Sequence, residues 1–130
     1  MLLSFDEAGD LLDTLAEKFP QALFGRLNGG INLLPDQVPD PEFPPGEMFI
    51  LGEYLHDFLG RYINLYYGSF AALAEKEDWS KETWEAELYE TLSHELTHHM
   101  EGLAGLHALD DRDEAELWEA RRDRDAKDDK

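Results

Sequence analysis

Two histidines four residues apart frame the run His94-Glu95-Leu96-Thr97-His98, the HExxH pattern, in which each fixed letter has a separate chemical task. On an α-helix, residues i and i+4 stand on one face, one turn apart, so the two imidazoles can be offered to a single zinc ion. Glu95 projects about 100° around the helix from His94. There it can hydrogen-bond a water at the metal's open position, act as general base, and later hand the proton to a leaving amine. In a chain of ordinary composition the pattern arises by chance in well under ~1 in 100 sequences of this length. Four of the five histidines lie between positions 94 and 107, so the motif falls in the histidine-rich part of the chain.

A catalytic zinc site commonly has three protein ligands and one open position, and HExxH supplies two. The chain has no cysteine, which leaves histidine and carboxylate for the third. His107, Asp110 and Asp113, in the segment after the glycines at 102 and 105, are the candidates. Glu101 is on the ligand face but two turns from His94, where a hydrogen bond to a ligating histidine suits it better than coordination. His99 projects about 140° from His94, toward the core border, and reads as a packed or capping histidine. His56 stands alone.

The element carrying the motif must be a long helix. Residues 80–104 contain no proline, and no glycine before Gly102. At 100° per residue, Trp84, Leu88, Leu92, Leu96 and Leu103 fall in one stripe at about 80–200° from His94, while His98, Thr91, Glu87, Glu90 and Glu101 gather within about 60° of it. Glu95 lies on the border. Ser80 is the expected N-cap, and Gly102 or Gly105 the expected stop.

Before that helix, Ser4-Phe5-Asp6-Glu7 is a capping-box sequence opening an amphipathic helix through about Phe19. Pro20 starts a second short helix that Asn28-Gly29-Gly30 ends. Residues 31–34, 48–51 and 61–67 read as strands. The segment 36–47 holds four of the six prolines and is expected to be an ordered loop or a flap. Strand 61–67 carries Tyr62, Tyr66 and Tyr67, which read mainly as core packing. Its backbone could serve as an exposed edge with which an extended substrate pairs.

With 130 residues and 42% hydrophobic content, the chain supports one core. The expected organisation is a single domain over 1–122 and a charged tail, 123–130, in which both signs mix. A formal charge of −19 repels phosphate backbones, which argues against nucleic acid as a partner. The charge could favour basic peptides, although solubility explains it more simply. The first residues, MLLSFDEAGD, carry no basic and apolar leader pattern, and no apolar run reaches the ~20 residues that span a bilayer. A cytoplasmic protein that binds no membrane is the expectation.

Residues 60–114 resemble the minimal zincins, small bacterial metallopeptidase-like proteins also described as acidic zincins. The likeness rests on Ile63-Asn64-Leu65-Tyr66-Tyr67-Gly68, on residues 87–91, and above all on His94-Glu95-Leu96-Thr97-His98-His99. Glu53 and the run GRYINLYYGSF are similar to the longer-spaced members. The resemblance implies a compact α+β fold, a zincin-like domain with a small sheet packed on the long HExxH helix and flanking helices. It also implies a zinc-dependent peptidase with aspartate as third ligand. The short form of that motif is HExxHxxGxxD, but Glu101 and Ala104 stand here at its glycine and aspartate positions. The glycine-then-acid turn is thus displaced toward residues 109–117, and aligning the last acid pair there puts the ligand at Asp113, ahead of Asp110 and His107. Asp113 is equally well placed to cap a following helix.

These readings make the protein a peptide-hydrolysing zinc enzyme acting on a peptide or protein substrate, with His94, His98 and Asp113 as metal ligands and Glu95 as general base. The alternative is a zinc-containing binding or regulatory module that keeps the site without significant turnover.

Overall fold

The computed structural model describes residues 1–58 and 60–108. Its contacts divide the chain into two compact units, Met1–Leu96 and Thr97–Lys130, with the division inside the last helix. The first unit is α+β. It contains α1 (Phe5–Ala16), a 3-10 turn (Gln21–Phe24), β1 (Gly30–Leu34), β2 (Gly52–Asp57), β3 (Gly60–Tyr66), α2 (Tyr67–Glu77) and the first half of α3 (Lys81–Ala108). The described part of the second unit is the remainder of α3.

The expected capping box is present. Ser4 Oγ accepts from the Glu7 backbone N–H at 3.1 Å, and the Glu7 carboxylate accepts from the Ser4 N–H at 2.9 Å. Each closes an orphan donor at the start of α1. The helix ends at Ala16 rather than Phe19, because Lys18 and Phe19 fold back on Leu15 and Ala16 with shorter-range backbone bonds. Past Pro20 the chain makes only a 3-10 turn, and Arg26 takes a left-handed φ of 63°. Gly29 is tightly constrained: a Cβ there would come within 2.6 Å of Tyr62 Cβ.

The sheet has the order β1-β3-β2, with β1 parallel and β2 antiparallel to β3. Strand β3 is therefore central. The edge role expected of 61–67 does not hold, because both of its edges are already paired; among the described residues β1 and β2 are the edge strands. Residues 48–51 are not a sheet strand either. Asp40 N–H donates to Met48 O and Ile50 N–H to Val38 O, with a bridge between Pro39 and Phe49, so this stretch pairs with the proline-rich segment. That segment is an ordered loop. Val38 N–H donates to the buried Ser69 Oγ at 2.9 Å, and Lys76 Nζ reaches Glu47 O, tying both of its arms to α2.

Alternation along β3 sends Ile63 and Leu65 into the core. They join Leu12 and Leu15 of α1, Phe70 and Leu73 of α2, and Trp84, Leu88, Leu92 and Leu96 of α3 in one cluster. Among the described residues no helix is long and apolar enough to cross a membrane.

Candidate metal centre on helix α3

The start of α3 is fixed from three directions. Ser80 caps it, accepting from the Thr83 N–H at 3.2 Å while its carbonyl accepts from Trp84 N–H. Asp78 ends α2 in the left-handed region (φ 52°), which turns the chain sharply into the cap. The N-terminal ammonium donates to Trp79 O at 2.8 Å, and Trp84 Nε1 donates to Met1 O at 3.1 Å. Around this joint Trp84 stacks on Tyr67 and Phe70 and meets Trp79 edge-on at 5.4 Å. A helix clamped at its first turn by large aromatics presents later turns at a defined rotation.

That rotation can be read from burial. Trp84, Leu88, Leu92 and Leu96 are buried, as the apolar stripe predicts, and two polar residues lie within the same stripe: Glu95, 7% exposed, and His99, fully buried. His94 is exposed and His98 half-buried. His94 thus stands at the rim of the stripe, while Glu95 turns inward toward the core. His99 is a packed histidine, as its angle indicates. The helix does not stop at Gly102 or Gly105 but continues to Ala108, because neither glycine is followed by a residue that breaks the pattern, and Ala and Leu sustain it. The helix therefore carries the backbone of His107 about 13 Å further along its axis than that of His98.

The donor set suits zinc as far as it is described, with two imidazoles one turn apart on one helical face. Among the described residues no group of three His, Asp or Glu side chains converges to hold a metal. Asp110 and Asp113 lie outside the described residues, as does the expected 122/123 boundary. Glu87, two turns before His94 on the ligand face, has its carboxyl pushed above the usual range, first by burial and then by the nearby charges of Glu90 and Glu77.

Strand β2 runs beside this helix. A Cβ added to Gly52 would lie 2.9 Å from Thr91 Cγ2 and 3.1 Å from Asn64 O, so the first residue of the strand is pressed against α3 one turn before Glu95. Behind it, Glu53 accepts from the Tyr66 hydroxyl at 2.7 Å. Burial, and then this bond, push the Tyr66 phenol up to about 12. Asn32 Nδ2 donates to Asn64 Oδ1 at 3.3 Å on the same face of the sheet. A second arrangement escaped the sequence reading. Arg61, 7% exposed, donates from Nη1 to the Tyr54 hydroxyl at 2.9 Å. Its signal was faint, since Tyr54 belongs to a strand whose polar pattern, GEYLHD, hides it.

An α+β domain with a three-stranded mixed sheet and a long histidine-bearing helix is thus the class the chain defines. No protein-family model and no curated protein matches it. Among solved structures it is similar to a conserved hypothetical protein from Thermus thermophilus. The two share 37% identity over 78% of this chain and 98% of that one, with a TM-score of 0.67. The chain belongs to the family of that protein.

Proposed function

We propose that this protein is a zinc-dependent metallopeptidase of minimal-zincin type. In this reading His94 and His98 hold the metal with Asp113, and Glu95 is the general base. The observation that carries it is the setting of Glu95. Glu95 is 7% exposed on the stripe of Trp84, Leu88, Leu92 and Leu96, where a helix using its acids only for solubility would turn it outward. Its place beside the paired imidazoles gives that inward setting a use. Zinc held there would polarise a peptide carbonyl and acidify a water. Glu95 takes the proton of the attacking water and delivers it to the departing amine, and its partial exclusion from solvent keeps that proton from being lost to bulk.

Edge strand β2 supports the same reading. Among the described residues no further strand pairs with it, and its start touches α3 beside the motif. An extended peptide could add there as a fourth strand, backbone to backbone, which aligns a chain without demanding a particular sequence. A cytoplasmic setting belongs to this proposal; with histidine and carboxylate as its only donors, the site needs no control of thiol oxidation.

The test is cleavage of a diverse peptide library by zinc-loaded wild type and Glu95→Gln, read by mass spectrometry. Turnover in the variant should fall by about 10²–10⁴-fold, the usual contribution of a positioned general base, with zinc content unchanged. Equal cleavage by both would assign the activity to a contaminant, and none by either would favour a zinc-containing binding or regulatory module. For the third ligand, Asp113→Ala should weaken zinc binding more than Asp110→Ala or His107→Ala, since it removes both a bond and an anion. A titration with either of the others as the weakest binder would overturn that assignment.

A further inference from the structure

A guanidinium is expensive to bury without an anion, because it leaves water and gains no opposing charge. Among the described residues Arg61 is in that position. It is 7% exposed, and the neutral Tyr54 hydroxyl is the one side-chain partner of its guanidinium among the described residues. The chain has 30 Asp and Glu against 11 Lys and Arg, so a carboxylate partner was readily to hand. Within the sheet, alternation turns the acids away. Glu53 and Asp57, the acids of β2, point to the opposite face, where they accept from the hydroxyls of Tyr66 and Tyr62. On the face of Arg61, β2 presents Tyr54 and His56 instead, and His56 lies directly across from Arg61 in the register. His56 is exposed, so the arrangement runs from a buried cation to an open imidazole at the tip of the hairpin.

We infer that Arg61 and His56 form a carboxylate-binding subsite on the β2–β3 hairpin, with Tyr54 positioning the guanidinium. A planar guanidinium held by one edge keeps its remaining N–H groups in a fork that matches the two oxygens of a carboxylate, and an imidazole N–H adds a further donor. The subsite deepens the peptidase proposal and rests on it only for the origin of the carboxylate. His56 stands four strand positions from Gly52, about 13 Å, on the edge where an extended peptide would pair. The ligand is therefore a carboxylate of the substrate itself, either its C-terminus or an acidic side chain a few residues from the bond cleaved.

Binding can be measured without zinc or turnover. The melting temperature of the full chain would be followed against sodium acetate, with sodium chloride at equal ionic strength as reference. Three short peptides would then be compared, Ac-Ala-Ala-Ala with a free C-terminus, its amide, and Ac-Ala-Glu-Ala amide. Acetate should raise the melting temperature saturably. The apparent affinity should fall at least tenfold in Arg61→Met, and less in His56→Ala. Stabilisation by the free-acid peptide alone assigns the C-terminus, and by the glutamyl amide alone the side chain. Should Arg61→Met fail to fold, Arg61→Lys keeps the charge and loses the fork, and its acetate affinity should also fall. No effect of acetate beyond chloride, or an effect undiminished in the Arg61 variants, would overturn the subsite whatever the enzyme's activity.

Discussion

At the scale of single residues, α3 separates side chains by rotation as much as by chemistry. Glu95 and His99, about 40° apart on the buried side, are the polar members of an apolar stripe, and His94 stands at its rim. The burial of His99 is legible because burial on a long helix follows from counting, whereas Glu95 counts only to the border of the stripe. Arg61 was not legible, because its meaning depends on a partner, Tyr54, in a strand that the sequence does not announce. Glu87 gives a prediction of its own. Its pKa is raised in the folded protein, so it favours folding where it is protonated, below the usual carboxylate range, and that contribution is lost as pH rises through the raised value. Glu87→Gln should therefore raise the melting temperature at neutral pH, with the gain vanishing toward pH 4. A gain that persists unchanged at pH 4 would mean that charge is not the cause.

At the scale of elements, the helices with explicit caps were readable and the polar ones were not. Ser4 with Glu7 and Ser80 with Thr83 mark two helix starts that the chain uses. Strand β2 alternates Tyr54 and His56 against Glu53, Leu55 and Asp57, a pattern with little hydrophobic contrast to betray it. Helix α2 begins at Tyr67, inside what reads as the end of a strand, and only its Ala71-Ala72-Leu73-Ala74 core favours a helix. The contact between β2 and α3 is the element-level claim that can be broken. Gly52→Ala should destabilise the fold by about 1–3 kcal/mol through overpacking, since Thr91 Cγ2 stands 2.9 Å from the new methyl and is stiff. Thr91→Ser in the same chain, which removes that methyl, should recover part of the loss in urea unfolding. Strictly additive effects would show that the two residues do not touch. Ser80→Ala, by losing the cap of α3, should cost about 1 kcal/mol without altering metal affinity.

For the whole molecule, family membership rests on 37% identity to a protein whose chain is covered almost entirely, and the α+β class was legible from a helix, a strand cluster and a long motif helix in sequence. A net charge of −19 did not locate a site, since its acids are spread over both helices and strands. The proposed function requires above all that His94 and His98 bind one zinc. The most direct measurement is elemental analysis of protein purified without chelator and incubated with zinc, on wild type, His94→Ala, His98→Ala and His99→Ala. Close to one zinc per chain is expected in wild type, none in the first two variants, and retention in His99→Ala at reduced stability, because that change opens a cavity at a fully buried position. A wild type that holds no zinc, or a site lost with His99 and kept without His94, would contradict it.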